Sequence, residues 1–292
     1  MIRVERVTAA IGGTVTDLPG WVSGEPLRPD VAARLHELLM EHQVLVFPER
    51  TWTPTDLADL GRSFGDLAPR HHDYVTHPDD GDVVVLEWGG ERRPDAAEWH
   101  ADLTYRTEPP FASILEAVEV PRVGGDTLWA SMYSVHDSLS EGVRSELAEL
   151  SAVHDLGAFR GSSWLAGGQA ALEDAIHRAG VAVHPIIAHH PVTGRPYLNV
   201  SESFTRWVIG HSAPESQRLL TMLFDAINRP DHHMRLRWRP GMVAIWDNRG
   251  TQHYAVADYL PHRRVMHRVA VATDRIGQRA PVASSGDSPV DS

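Results

Sequence analysis

Two periods run through this chain, and each predicts its own kind of element. Apolar residues return every three or four positions in 29–42 (Val31, Leu35, Leu38, Leu39), after Thr53-Pro54 (Leu57, Leu60, Phe64), in 140–150 and in 214–228. That spacing lays an apolar stripe along one helix face and predicts four amphipathic helices. Thr53-Pro54 adds a capping hydroxyl and a proline at the first helical position. Elsewhere the apolar runs are short and bounded by turn residues: 44–47, 82–88, 111–120, 126–129, 181–187, 197–200, 233–238, 242–246 and 263–273. These read as strands, with still shorter ones before Trp21. Many short strands, few helices and no strand–helix–strand rhythm predict a mainly β fold with flanking helices, a double-stranded β-helix or cupin-like jelly roll.

Two stretches change character. Gly157, Gly161, Gly167 and Gly168 precede a short helical run at 170–179, so 155–180 reads either as a surface insertion or as a lid with glycine hinges. Residues 277–292 are Gly, Ala, Ser, Pro and Asp almost throughout and read as a disordered tail behind a single domain, 1–276.

The chain has 292 residues, a formal charge of -12 and no cysteine, with a mean hydropathy of -0.27. Without thiols there are no disulfides and no thiolate chemistry, so any metal must sit on His and carboxylates. The negative charge argues against nucleic acid or an anionic membrane as partner. No apolar run approaches the roughly 18 residues of a membrane span, and no signal-type segment opens the chain, so a cytoplasmic protein is expected.

His-x-acid triplets are the first candidate chemistry, because residues i and i+2 of an extended chain share a face. Three contain Asp: His71-His72-Asp73, His77-Pro78-Asp79 and His100-Ala101-Asp102. Composition alone predicts roughly that number, so context decides. Pro78 and Gly81 make the second a turn, and the first follows Gly65 to Pro69, a loop. Only Trp99-His100-Ala101-Asp102 leads into a plausible β segment, Leu103-Thr104-Tyr105. A third ligand is needed for a two-His, one-carboxylate iron site, and His253, beyond the strand 242–246 and the turn 247–250, is the candidate. Next to it, alternation along 264–271 puts Arg264, Met266, Arg268 and Ala270 on one strand face and Val265, His267, Val269 and Val271 on the other. Two arginines on one face call for anionic company, either a carboxylate-bearing ligand or an acid from another strand.

WHAD, Gly124 to Trp129 (GGDTLW), Trp246 to Ala255 (WDNRGTQHYA) and Tyr259 to Arg268 (YLPHRRVMHR) together resemble the taurine dioxygenase family of Fe(II)- and 2-oxoglutarate-dependent oxygenases, in order and spacing from about Val44 to Thr273. The resemblance implies iron on His100, Asp102 and His253. It implies 2-oxoglutarate on Arg264 and Thr127, with O2 as the other co-substrate. The substrate anion falls to His71 and Arg268, with Tyr74, Leu103 and Phe204 around it. Where the family has an amine-contacting Asn this chain has Ala96, and the family's lid Ser-Phe pair falls near Phe159-Arg160. The anion-binding end is kept and the amine-recognising end is lost, which points away from taurine. The implied reaction is hydroxylation of a small anionic organic substrate, an alkyl sulfonate or sulfate ester, with release of succinate and CO2. The same chemistry on a carboxylate, and a non-catalytic metal- or ligand-binding jelly roll, stay open. Look-alikes are commonly dimers or tetramers, so a homo-oligomer is expected.

Overall fold

The computed structural model describes residues 1–48, 50–69, 74–90, 97–156, 177 and 180–277. His71, Ala96, Phe159-Arg160, most of the candidate lid and the tail after Gly277 lie outside the described residues.

Strands β1 (Arg3–Arg6) and β2 (Gly13–Asp17) precede α1 (Pro29–His42), β3 (Val44–Phe47) and α2 (Pro54–Phe64). The cap predicted at Thr53 is a full capping box: Asp56 N–H donates to Thr53 Oγ1 at 3.1 Å and Thr53 N–H to Asp56 Oδ2 at 2.8 Å. Next come β4 (Val84–Trp88), β5 (Ala112–Glu119), β6 (Thr127–Ser131), α3 (Met132–Ser138), α4 (Glu141–Ala148) and β7 (Ser151–His154). The remainder is β8 (Ala182–Pro185), β9 (Ile187–His189), β10 (Pro196–Leu198), β11 (Thr205–Val208), α5 (Ala213–Ile227), β12 (His233–Leu236), β13 (Val243–Asp247), β14 (Thr251–Ala255) and β15 (Arg264–Val271).

The predicted jelly roll is present as a large sheet ordered β1-β2-β3-β13-β5-β15-β4 facing a small one ordered β12-β6-β14. Both faces of the large sheet are covered. Val243, Ile245, Val269 and Val271 pack outward against Leu35, Leu39, Leu57 and Phe64 of α1 and α2. Ala244, Trp246 and Met266 pack inward against Trp129 and Met234 of the small sheet. This explains why 44–47 and 242–246 read as unbroken apolar runs, since a strand buried on both sides has no polar face to alternate. A third cluster, Leu220, Leu223 and Ile227 with Val135, Leu147 and Leu198, fixes α5 and α3 beside the roll. Among the described residues no helix is long and apolar enough to cross a membrane.

The β segment expected at Leu103-Thr104-Tyr105 is absent. Those residues form a turn, with Leu103 at φ 58° and its carbonyl accepting from Arg106 N–H at 2.9 Å. A β-branched-free but bulky residue in the left-handed region is strained, and no local pattern announces it. Four elements also escape the periodicity: α3, β7, β11 and β14. In α3, Met132, Tyr133, Val135 and His136 are buried on several sides, leaving no stripe to detect.

Candidate active site

His100 and His253 are neighbours through their backbones. His100 N–H donates to His253 carbonyl at 3.1 Å and His253 N–H to His100 carbonyl at 2.8 Å, so this two-residue bridge fixes the rings with centroids 4.1 Å apart. Asp102 Oδ1 lies 3.9 Å from His100 Nε2 and 3.8 Å from His253 Nε2. The three ligand atoms fall within 4.8 Å of one another and all three residues are buried. That separation suits one small cation between them. His100 Nδ1 lies 2.8 Å from the Glu98 carbonyl, to which only an N–H can donate, so Nε2 keeps its lone pair for the cation. Burial pushes both imidazoles down, His253 to about 3, which keeps them neutral and ligand-competent. Burial opposes ionisation of Asp102, but Arg268, His253, His100 and the Ser113 hydroxyl outweigh it and hold the carboxyl well below the usual range.

Asp102 is held from every side. Ser113 Oγ donates to its Oδ2 at 2.6 Å. Asn248 accepts from Asp102 N–H at 2.7 Å and donates to the Asp102 carbonyl at 3.0 Å and the Pro110 carbonyl at 3.1 Å. Asn248 thereby sets the turn that carries the acid. Its neighbours brace it: Asp247 accepts from Arg249 Nε at 3.0 Å and pairs with His190 Nε2 at 2.7 Å. The Asp and Arg of WDNR are therefore structural, and the Asn is the residue that reaches the site.

At the other end of the roll's interior, Arg264 is 3 % exposed. Its Nε donates to the Gly125 carbonyl at 3.1 Å, while Nη2 is buried without a hydrogen-bond partner among the described residues. Burial pushes this guanidinium down to about 10, against the raising effect of Tyr259 and Asp126. Trp238 Nε1 donates to Thr127 Oγ1 at 2.9 Å, so the Thr127 hydroxyl keeps its own proton to donate elsewhere. Gly125, at φ 73°, lets the chain pass this close: a Cβ there would sit 3.3 Å from Arg264 Cδ and from Tyr259. A buried donor without an acceptor beside a hydroxyl with a spare proton fits a carboxylate.

The second arginine has company that the strand pattern could not reveal. Arg268 Nη1 lies 3.8 Å from Asp102 Oδ1, so the acid facing it belongs to the candidate metal centre, and Tyr74 stands under its guanidinium at 5.9 Å. Phe204 is buried with its ring edge-on to His100 at 6.1 Å and to Tyr105 at 5.4 Å. Leu103 sits on the turn just after the acid. Phe204 and Arg268 thus stand against His100 and Asp102, and Tyr74 stands against Arg268; His71 lies outside the described residues. His77-Pro78-Asp79 is a bend, with Asp79 N–H donating to His77 Nδ1 at 3.2 Å.

Three supporting residues escaped sequence reasoning. Ser113 carried a signal, a single hydroxyl inside the otherwise apolar stretch 111–115. Tyr105 and His154 carried none. His154 Nδ1 meets Thr104 Oγ1 at 3.0 Å and Nε2 meets Thr205 Oγ1 at 3.3 Å, tying the turn after Asp102 to β11. Burial, with His184 and Arg206 adding to it, pushes its imidazole down to about 3. The unfolded chain, near 6.5, binds the proton that the fold rejects, so stability is complete above about pH 6.5 and is lost as pH falls toward 3. We expect His154→Gln to flatten the decline of Tm between pH 6.5 and 4; an unchanged decline in a thermal-melt series would remove His154 from the acid response.

A jelly roll that brings two imidazoles and one carboxylate together, with a buried guanidinium in the same interior, has the make-up of a mononuclear non-haem iron oxygenase. The profile of the "Taurine catabolism dioxygenase TauD, TfdA family" matches residues 5–270, and the chain belongs to that family. It is 30% identical over 276 residues to an alkylsulfatase of Acinetobacter baylyi, covering 93% of this chain and 85% of that one. It is 34% identical over 265 residues to an alpha-ketoglutarate-dependent sulfate ester dioxygenase of Pseudomonas putida, covering 86% and 85%. The crystal structure of a taurine dioxygenase from Burkholderia xenovorans matches it with a TM-score of 0.78 and 29% identity, over 94% of this chain and 90% of that chain.

Proposed function

We propose that this chain is an Fe(II)- and 2-oxoglutarate-dependent dioxygenase that hydroxylates a sulfate ester or alkyl sulfonate, with 1–276 as its catalytic domain. The observation that carries the cofactor assignment is the buried Nη2 of Arg264, without a hydrogen-bond partner among the described residues, a donor that an anionic ligand would complete. Arg264 and Thr127 take the distal carboxylate of 2-oxoglutarate; His100, Asp102 and His253 take the iron. With both bound, O2 is consumed as 2-oxoglutarate is oxidatively decarboxylated to succinate and CO2, and one oxygen atom is inserted into a C–H bond of the substrate.

The protein's own residues decide which bond that is. Arg268, 3.8 Å from Asp102, holds the substrate anion beside the metal and leaves the carbon next to the anionic group facing it. His71 joins Arg268 in this role, while Phe204, Leu103 and Tyr74 keep water from the reacting carbon. Hydroxylation of R–CH2–OSO3⁻ at that carbon gives R–CH(OH)–OSO3⁻, which expels sulfate and leaves the aldehyde R–CHO. An alkyl sulfonate gives sulfite and the aldehyde by the same route. The two relatives that act on sulfate esters by name support this substrate class over a carboxylate. Self-association is part of the same proposal. Its support is an exposed apolar sheet face: Trp207 and Val183 both lie opposite Val153 and are 50% and 56% exposed. A monomer in sedimentation velocity would end that part.

Anaerobic addition of Fe(II) and 2-oxoglutarate should produce a weak visible charge-transfer band, and aerobic incubation with alkyl sulfates should release succinate, sulfate and aldehyde in equal amounts. Absence of the band would sink the oxygenase assignment; turnover on alkyl carboxylates alone would sink the sulfur assignment. Arg268→Ala should raise KM for the sulfate by about a hundredfold, in line with loss of a charge-assisted pair, while slow uncoupled succinate release survives.

A further inference from the structure

Both glycines of GGDTLW stand in the left-handed region, Gly124 at φ 81° and Gly125 at φ 73°, and the turn they make leads straight into β6. It therefore delivers Thr127, the first residue of that strand. The same turn reaches Arg264, whose Nε donates to the Gly125 carbonyl at 3.1 Å. Thus both groups assigned to the distal carboxylate of 2-oxoglutarate take their place from one short piece of backbone.

That backbone is held by Asp258, which opens the turn 258–261 between β14 and β15. Asp258 Oδ1 accepts from Gly125 N–H at 2.8 Å, so Gly125 is gripped at its N–H by Asp258 and at its carbonyl by Arg264. The carboxylate comes so close that a Cβ on Gly124 would sit 2.5 Å from Oδ1; this contact and the positive φ together require glycine there. Arg235 of β12 ties the acid to the far end of the turn. Its Nε donates to Asp126 Oδ2 at 2.6 Å, and its Nη2 lies 3.7 Å from Asp258 Oδ2. The Asp126 carbonyl accepts from Val256 N–H at 3.0 Å, which fastens the turn to the chain just before Asp258. We propose that Asp258 is a positioning residue for 2-oxoglutarate: by pinning the Gly124-Gly125 turn it aligns the Arg264 guanidinium and the Thr127 hydroxyl on one carboxylate. This rests on the assignment of Arg264 and Thr127 to the cofactor. Because its bond is to a backbone N–H, the role needs an acceptor oxygen at 258 rather than a charge.

The full chain, loaded anaerobically with Fe(II) and titrated with 2-oxoglutarate on its visible charge-transfer band, reads the effect directly. Asp258 is half-exposed, so Asp258→Ala leaves the fold intact. It should bind 2-oxoglutarate about tenfold more weakly, the loss that goes with one hydrogen bond to a charged acceptor. Its KM for 2-oxoglutarate should rise by the same factor while kcat at saturation stays within about twofold. Asp258→Asn keeps an acceptor for Gly125 N–H and should stay within about threefold of wild type. Two further measurements separate positioning from general damage. Co(II) affinity, read by calorimetry, should be the same in all three proteins, because the turn serves the Arg264 end of the roll. 2-Oxopentanoate, which has the same carbon chain without the distal carboxylate, should bind wild type and Asp258→Ala equally. Unchanged 2-oxoglutarate affinity in Asp258→Ala overturns the proposal, as does an equal loss for 2-oxopentanoate or Co(II), or an Asn variant as impaired as the Ala variant. A wild type that shows neither the band nor a rise in Tm with 2-oxoglutarate fails the cofactor assignment itself; a wild type that shows both, beside an Ala variant that matches it, fails only the role of Asp258.

Discussion

Asp102→Asn should leave a folded protein that binds Co(II) or Fe(II) at least about a hundredfold more weakly and releases succinate about a thousandfold more slowly. Losing an outer partner of a metal ligand already costs about ten- to a hundredfold, and this change removes a ligand's charge outright. The buried centre offers a dication one anionic group and two neutral rings. The amide keeps the shape, and Ser113 can turn its hydroxyl to suit it, so the fold is retained; what disappears is the charge that offsets the cation's lost hydration. Arg268, 3.8 Å away, then adds an uncompensated positive charge beside the cation. Ser113→Ala is the milder counterpart: it removes one hydrogen bond of 2.6 Å from Oδ2 and should weaken the metal about tenfold. Calorimetric metal titration of the purified variants reads both values. Co(II) affinity in Asp102→Asn within threefold of wild type would show that the cation sits elsewhere.

How much of this could be read from the chain depends on how far apart in sequence the cooperating residues lie. α1, α2 and α5 were legible because each packs one face on the core over 11 to 15 residues, long enough for the 3.6 period to repeat. β3 and β13 were legible because both their faces are buried. β14 was not. Thr251, Gln252 and His253 break its apolar pattern, and they break it because that strand serves the site: function overrides pattern where the ligands sit. The sequence places His253 only beyond the strand 242–246 and the turn 247–250; in the fold it stands on a strand whose register opposite Trp129 fixes it. The turn at Leu103 was illegible for a different reason. A leucine at φ 58° contradicts local preference, and it is maintained from outside, by Asn248 across 146 residues and by His154 across 50. The pairing of Arg268 with Asp102 is likewise set by sheet register. The alternation along 264–271 placed both arginines on one face, but it could not say that one meets the carboxylate of the candidate metal centre and the other a backbone carbonyl.

That last difference makes Arg264 the sharper test of the cofactor assignment. Arg264→Met should raise the Tm of the ligand-free protein and, in the same protein, abolish the stabilisation that 2-oxoglutarate brings. The guanidinium pushed down to about 10 by burial carries a penalty of order 3 kcal/mol in the ligand-free fold. The sign is fixed by which state holds the proton. The unfolded chain binds it more tightly, so stability rises with pH only above about pH 10, and at working pH the penalty is constant. A methionine of similar length fills the same space without charge and leaves no buried Nη2 unpaired. Wild type recovers the loss only when a carboxylate arrives, gaining about 2.7 kcal/mol at a hundred times Kd; the Met variant has nothing to recover, and its KM for 2-oxoglutarate should rise about a hundredfold or more. Arg264→Lys should fall between, since a point charge reaches the carboxylate but lacks the planar fork that can hold both of its oxygens. Thermal melts with and without 2-oxoglutarate and metal separate these outcomes. A Met variant that still gains the full ligand-induced shift would place the distal carboxylate away from Arg264, and one that melts lower without ligand would mean that Gly125 and Tyr259 already compensate the charge.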